Sequence, residues 1–244
     1  MVVYDEDREL YGLLTQRCWD NFMVDSECQK ALLAKFLGYL LILGSLTIKA
    51  PQIAKIVGAK SVAGLSAFSF YTDVVIYITN AVYHLVNGSP FSAYGEILTI
   101  LVQNVYLVVL MWRYMDNRPS ALGMSALVAM FVGTAVGCAL LPPNLMALLP
   151  LTNLPLMFGS KLPQIMTNFS NGHTGQLATF TVMLNFLGSS ARVLTTIQEV
   201  GWDMSLIAVY FLSSLLNGII VLQVLLYWNR TAEWSLKQAE KKKA

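Results

Sequence analysis

The chain has 244 residues, of which 56% are hydrophobic and only 12% are charged, and its mean hydropathy is +0.57. Soluble domains carry about 25% charged residues, so this composition excludes an ordinary soluble globular protein. The formal net charge of +2 gives no sign of nucleic-acid binding.

The first 34 residues are polar and hold no apolar stretch of the kind that forms the centre of a cleavable signal peptide. We predict that they form a tail outside the cytosol. Two cysteines of this tail, Cys18 and Cys28, are ten residues apart. In an oxidising compartment such a pair is able to form a disulfide.

Seven apolar stretches follow, each close to the ~20 residues that a helix needs to cross a bilayer. No Asp, Glu, Lys or Arg occurs between residues 119 and 160, and Pro142-Pro143-Asn144 supplies a turn in the middle of this stretch. The predicted spans are 36–56, 66–87, 96–115, 121–141, 145–167, 177–199 and 205–228. The predicted fold class is therefore all-α integral membrane, with seven transmembrane helices.

A short proline-containing motif occurs twice, as Lys49-Ala50-Pro51-Gln52-Ile53 and, 112 residues later, as Lys161-Leu162-Pro163-Gln164-Ile165. Proline has no N–H, so it deprives the carbonyl four residues upstream of its helical partner and kinks the helix. In lipid that carbonyl must find a donor within the protein. The glutamine after each proline is a suitable donor, and we predict that both Pro-Gln pairs act as hinge and packing elements.

The repeated motif divides the chain into two halves. We predict a three-helix bundle in residues 35–115 and another in 145–229, joined by a linking helix within 116–144, with an N-terminal tail of 1–34 and a basic tail of 230–244. Because one linking span reverses the chain, both bundles are expected to have the same orientation in the membrane.

Lysine and arginine fall in or beside alternate connections between the spans. The first, third and fifth connections and the tail carry them, whereas the second, fourth and sixth carry none. By the positive-inside rule, the N-terminus is predicted outside the cytosol and the C-terminus inside. Lys241 and Lys242, fourth and third from the end, resemble a dilysine retrieval signal. A plain basic cytosolic tail explains them equally well.

Polar residues recur at matched positions when the halves are overlaid, and this predicts a shared polar centre. The pairs are Asp73 with Asn185, Asn80 with Arg192, and Asn104 with Asn217. Several alternatives stay open. The carboxylate is functional or makes a structural hydrogen bond, the arginine is structural or holds a lipid phosphate, and the asparagines line a cavity or tie helices together.

The two Pro-Gln motifs in a three-plus-one-plus-three arrangement resemble the PQ-loop family, which includes the SWEET sugar transporters and the lysosomal cystine exporter. The second half is similar, more narrowly, to the mannose-P-dolichol utilization defect group of that family. The stretches that carry this similarity are Asn171-Gly172-His173-Thr174-Gly175-Gln176-Leu177, Gly188-Ser189-Ser190-Ala191-Arg192, Thr195-Thr196-Ile197-Gln198-Glu199, Leu216-Asn217-Gly218 and Tyr227-Trp228-Asn229.

This resemblance implies a non-enzymatic factor of the endoplasmic-reticulum membrane, without a cofactor. Lumenal glycosyltransferases would need it to use dolichol-phosphate-mannose and dolichol-phosphate-glucose for N-glycan precursors, GPI anchors and O- or C-mannosylation. Its expected partners are the lipid-linked sugars, membrane lipids and those glycosyltransferases. The residues expected at the phosphosugar are Asp73, Asn80, Asn104, Asn185, Arg192 and Asn217. The alternative is a small-solute transporter for sugars or amino acids, coupled to protons.

Overall fold

The computed structural model of the chain describes residues 9–10, 14–20, 23–62, 65–175 and 179–241. Helices make up nearly all of this, as the predicted all-α membrane class requires. At the start, two short strands, β1 (Glu9–Leu10) and β2 (Leu14–Thr15), pair antiparallel and lead into a short helix, α1 (Gln16–Asp20).

Ten further helices and one 3-10 turn follow. They are α2 (Ser26–Ser45), α3 (Ala50–Ala59), α4 (Ala67–Val86), α5 (Phe91–Tyr114), α6 (Ala121–Ala139), α7 (Pro143–Met146), the 3-10 turn (Leu149–Asn153), α8 (Leu154–Asn171), α9 (Thr179–Glu199), α10 (Met204–Leu226) and α11 (Trp228–Lys241). The first predicted span corresponds to α2 with α3, and the fifth to α7, the 3-10 turn and α8.

Within the described part of the chain, five helical segments are long and apolar enough to cross a membrane. They are Ser26–Ala59, Phe91–Tyr114, Ala121–Ala139, Pro143–Asn171 and Met204–Leu226. Helices α4 and α9, with 20 and 21 residues, have the length but do not reach the same apolar composition within the described residues. They are the second helices of the two halves and hold four of the six predicted polar positions. The chain is therefore a multi-pass membrane protein.

Both tails are more helical than the sequence suggested. Helix α2 begins at Ser26, ten residues before the predicted span, because the Asp25 carboxylate accepts the Glu27 N–H at 2.9 Å and so caps the helix. The predicted C-terminal tail is largely α11. Residue placement also corrects the count of loop cations, since Lys49 lies at a break inside the first span and Lys161 lies inside α8.

The contacts divide the chain into two compact units. The first contains the described residues up to Pro150 together with Thr195–Gly201, and the second contains Leu151–Leu194 and the described residues from Trp202 onward. In the first unit, α5 packs against both α2 and α4, and α4 packs against α6. Its core joins α4 to α5 through Phe70, Val74, Leu107, Val108 and Met111.

Helices α2 and α5 approach closely in the first unit because a glycine lies at their crossing. A Cβ atom on Gly38 would lie 2.6 Å from the Ser92 carbonyl oxygen, too close for a side chain of any size. Gly44, further along α2, has nothing within 4 Å of the same position. The α2–α5 contact therefore depends on the missing side chain at residue 38.

In the second unit, α10 packs against α8 and contacts α9 through side chains. Val182 of α9 packs with Ile220 and Val224 of α10, and Ile165 of α8 packs against the same cluster. In both units, therefore, the third helix of the predicted bundle contacts the first and the second.

Candidate functional site

The first span is broken immediately before the first Pro-Gln pair. Helix α2 ends at Ser45, and the chain then makes 3-10 bonds from Thr47 N–H to the Gly44 carbonyl (3.2 Å) and from Ile48 N–H to the Ser45 carbonyl (3.2 Å). Helix α3 starts at Ala50, so Pro51 occupies its first turn, where a missing N–H leaves no bond unmade. Pro51 thus follows a complete break, where the sequence predicted a kink.

One side chain of the third helix bridges this break. Gln103 of α5 donates from Nε2 to the Ser45 carbonyl at 2.9 Å, and its Oε1 accepts the Lys49 N–H at 3.1 Å. A broken helix in lipid must have its freed backbone groups satisfied by the protein. Gln103 supplies both a donor and an acceptor at this site, and the sequence interpretation missed it.

The expected donors, Gln52 and Gln164, make no side-chain hydrogen bond with any described residue. In the second unit a glutamine of the third helix also bonds to the proline-containing helix, although not at the Gly159 carbonyl that Pro163 frees. Gln223 Nε2 donates to the Ile165 carbonyl at 2.9 Å, and its Oε1 accepts from Asn168 Nδ2 at 2.9 Å. In both units, therefore, a glutamine of the third helix bonds to the first helix of its half, but at a carbonyl other than the one that the proline frees.

The second proline lies in a continuous helix. Pro163 is inside α8, which runs without interruption from Leu154 to Asn171. The overlay that pairs Asn104 with Asn217 places Leu110 opposite Gln223, so the two bridging glutamines are not at matched positions. The halves share a motif, but only the first is broken at it.

Asp73 of α4 pairs with a lysine of the first span. Lys49 Nζ lies 3.3 Å from Asp73 Oδ2, and the two side chains are 19% and 32% exposed. An ionisable residue inside a membrane span marks a functional site by default, because it is costly unless it is paired. The sequence interpretation had counted Lys49 among the cations of the first connection and so did not identify it as the partner.

The matched residues Asn104 and Asn217 are both buried but differ in their contacts. Asn217 is 5% exposed, and its Nδ2 donates to Ser189 Oγ at 3.2 Å and to the Asn185 carbonyl at 3.4 Å. Asn104 is fully buried, and neither its Nδ2 nor its Oδ1 has a hydrogen-bond partner among the described residues. A buried polar group left unsatisfied costs about 1–3 kcal/mol. Asn104 therefore carries hydrogen-bonding capacity that no described residue uses.

The remaining three polar residues have different surroundings. Asn80 is 7% exposed and donates to the Ile76 carbonyl of its own helix at 2.8 Å. Arg192 is 4% exposed. Asn185 is exposed, and only its backbone carbonyl meets Asn217. Asp73 and Asn185, which the overlay matches, therefore differ in both charge and contacts, and so do Asn80 and Arg192.

Cys18 and Cys28 form a disulfide with their Cα atoms 5.3 Å apart, linking α1 to the first turn of α2. Of the retrieval-signal residues, Lys241 ends α11, while Lys242 lies outside the described residues. Gly64 in the connection after α3, and Gln176 and Leu177 in the connection after α8, also lie outside them. Within the described ranges, no group of three or more His, Cys, Asp or Glu is placed to hold a metal ion.

The loop between α8 and α9 is held by the last helix. The His173 ring stacks on Trp234 of α11 with centroids 4.8 Å apart, and Thr231 Oγ1 accepts the Thr174 N–H at 3.1 Å. His173 Nδ1 also accepts the Gly175 N–H at 3.1 Å. In this arrangement His173 orders the connection that carries the Asn-Gly-His-Thr-Gly sequence.

These features define a helical multi-pass membrane protein with an internal duplication, in which the third helix of each half contacts the other two. The chain belongs to the PQ-loop repeat family: the PQ loop repeat matches residues 33–93 and 145–205, together half of the chain. The two matched segments start 112 residues apart, the same separation as Pro51 and Pro163.

A solved structure of a eukaryotic SWEET transporter is similar to this chain in fold. The TM-score is 0.59 at 16% sequence identity, and the likeness covers 82% of this chain and 97% of that one. At this level of identity the likeness establishes the fold and leaves the substrate open.

Proposed function

We propose that the protein is an endoplasmic-reticulum membrane factor that binds dolichol-phosphate-mannose and dolichol-phosphate-glucose and makes them available to lumenal glycosyltransferases. The observation that supports this most directly is a largely buried cation in each half. Lys49 is 19% exposed at the break of the first span, and Arg192 is 4% exposed in α9.

A buried cation fits this class of ligand for a simple physical reason. Burying a lysine or arginine in a membrane is expensive, at roughly 2.5–3.5 kcal/mol on insertion scales. A neutral sugar offers no charge to either cation, whereas the phosphodiester of a lipid-linked sugar is anionic and forms charge-assisted hydrogen bonds.

In this proposal the N-terminus is lumenal, the C-terminus is cytosolic, and the protein acts without catalysing a reaction of its own. The resemblance of the Asn171–Gly175 loop and of the sequences around Arg192 and Asn217 to the mannose-P-dolichol utilization defect group supports the same choice of ligand.

A small-solute transporter is the second candidate, and the SWEET-like fold favours it. The broken first span provides a flexible point, and the Lys49–Asp73 pair provides an ionisable couple for proton-linked movement. In this reading the ligand is a free sugar or amino acid and the buried cations are structural.

Reconstitution into liposomes separates the two candidates. Purified full-length protein is assayed for binding and trans-bilayer movement of radiolabelled dolichol-phosphate-mannose, and in parallel for uptake of free monosaccharides and amino acids. We expect saturable binding of the lipid-linked sugar that Arg192→Gln weakens. Uptake of free solutes without binding of the lipid-linked sugar would replace the proposal with the transporter.

A further inference from the structure

An apolar groove in the second unit lies beside a small polar cluster at mid-membrane depth. The groove has a volume of about 430 Å³, and its lining comes from α9 and α10. Its lining includes Phe186, Phe211, Ser214, Leu215, Gly218 and Leu222. We propose that this groove holds the isoprenoid chain of a lipid-linked sugar while the sugar lies in the middle of the bilayer, an inference that rests on the proposed function.

The apolar part of the groove consists of large side chains that are exposed. Phe211, Leu215 and Leu222 of α10 are 56%, 49% and 58% exposed. Gly218 adds no side chain, and a Cβ there would lie 3.2 Å from the Phe186 ring, so that ring closes the groove floor. Because α10 is a membrane-spanning segment, hydrocarbon is what occupies such a surface.

The polar part of the site is continuous with the groove through Ser214. Ser190 Oγ donates to the Phe186 carbonyl at 2.8 Å and lies 2.8 Å from Ser214 Oγ. With the Ser190 proton directed to that carbonyl, Ser214 donates to Ser190, and its own oxygen keeps acceptor capacity toward the groove. An acceptor suits a sugar hydroxyl, which can donate, better than a phosphate, which at neutral pH cannot.

The depth of Ser214 in the membrane indicates which kind of lipid the groove binds. Ser214 lies about 15 Å along α10 from Met204, at ~1.5 Å per residue, and the hydrocarbon core is ~30 Å thick. A resident phospholipid keeps its polar atoms at the bilayer surface and so has none to offer at this level. A lipid-linked sugar that crosses the bilayer does bring polar atoms to this level. The site thus favours passage of the lipid-linked sugar across the membrane over its presentation at one surface.

Photolabelling of the full-length protein in liposomes tests the site. The probe is a polyisoprenyl-phosphate-mannose with a diazirine in the isoprene unit nearest the phosphate, and labelled peptides are located by mass spectrometry. We expect label on residues 211–222. Leu215→Trp fills the groove and should reduce labelling about tenfold. Leu225→Trp is the matched control, since Leu225 is 55% exposed on the same helix but does not line the groove, and it should leave labelling unchanged.

The sugar contact is tested by competition. Unlabelled dolichol-phosphate-mannose should compete better than dolichyl phosphate, and Ser214→Ala should abolish that preference while Ser213→Ala keeps it. Competition by excess phosphatidylcholine as strong as that by the lipid-linked sugar would overturn the proposal. So would efficient disulfide cross-linking between two copies through Leu222→Cys, because a second copy would then cover the groove.

The failure of this inference is distinguishable from failure of the proposed function. If Leu215→Trp binds radiolabelled dolichol-phosphate-mannose and is labelled like the wild type, the groove is not the chain site and the proposed function stands. If the wild type binds none of the lipid-linked sugar, both are rejected.

Discussion

Lys49 Nζ lies 3.3 Å from Asp73 Oδ2, and this pair ties the break in the first span to the second helix of the same half. The lysine directly precedes the Ala50-Pro51 start of α3, so its backbone and side chain serve different partners. The backbone N–H bonds to Gln103 and the ammonium group meets the carboxylate. The pair therefore fixes how the two halves of a discontinuous span approach α4 and α5.

A double-mutant cycle on this pair should show strong coupling. Asp73→Asn and Lys49→Gln each leave one charge without its partner in a partly buried site, so each single change should destabilise the protein more than the double change does. We expect a coupling energy of about 0.5–3 kcal/mol. The measurement is unfolding of the four purified variants in one detergent, followed by tryptophan fluorescence. Additive effects would mean that the ion pair is not formed.

The same pair should matter for function in cells. Asp73→Asn, expressed in cells that lack the endogenous protein, should impair the pathways that use dolichol-phosphate-mannose or dolichol-phosphate-glucose, scored as incomplete lipid-linked oligosaccharides and reduced surface GPI-anchored proteins. Glu233→Gln on α11 serves as a control for loss of a carboxylate. If Asp73→Asn supports every such pathway at the wild-type level, Asp73 is not part of the site.

Gln103→Leu should destabilise the first unit by about 1–3 kcal/mol, because inside a membrane span the Lys49 N–H loses its acceptor and the Ser45 carbonyl loses one of its two donors. For a chain of this size, 1 kcal/mol corresponds to a fall of roughly 2–4 °C in unfolding temperature. The control is Gln52→Leu, which removes a glutamine without a hydrogen bond to the described residues and should change little. Equal effects of the two variants would contradict the bridging role.

Gly38→Ala should destabilise the α2–α5 contact by about 1–3 kcal/mol, since the new methyl group would lie 2.6 Å from the Ser92 carbonyl oxygen. Gly44→Ala on the same helix meets nothing within 4 Å and should be neutral or stabilising by up to about 1 kcal/mol. Unfolding temperatures of the purified variants report the difference. A stable Gly38→Ala variant would show that the two helices are further apart.

The Cys18–Cys28 disulfide provides a test of orientation. In sealed microsomes, a membrane-impermeant maleimide should label these cysteines only after reduction and only when the lumenal side is opened. Cys138, inside α6, is the internal reference. Labelling without reduction in intact microsomes would place the N-terminus in the cytosol and reverse the predicted topology.

The sequence predicted the helical membrane class and the duplication well, because both depend on composition and spacing. Helix ends were less predictable. The capped start of α2 at Ser26 and the break after Ser45 arise from local hydrogen bonds that hydropathy does not register. Asp73 and Arg192 were visible in the sequences of α4 and α9. We interpreted them only as site residues and did not conclude that these two spans are less apolar than the others.

Most partners of the site residues could not be predicted from the sequence. Lys49 looked like a connection residue because it adjoins the proline motif, and only the packing of α2 and α3 against α4 and α5 places it beside Asp73. Gln103 and Gln223 lie at unmatched positions, so an overlay of the halves could not reveal their common role. One signal was available: each is a glutamine within a long apolar helix, where an amide needs a partner.

The two proline-bearing spans differ in structure although both carry the repeated motif. One copy is broken before its proline, and the other is a continuous helix through its proline. Bending at the break after Ser45 ruptures no α-helical hydrogen bond, whereas α8 lacks only the bond of Pro163 and keeps the neighbouring ones. We therefore expect that replacing the segment around Pro51 by residues 154–171 is poorly tolerated, even though both segments belong to the same repeat.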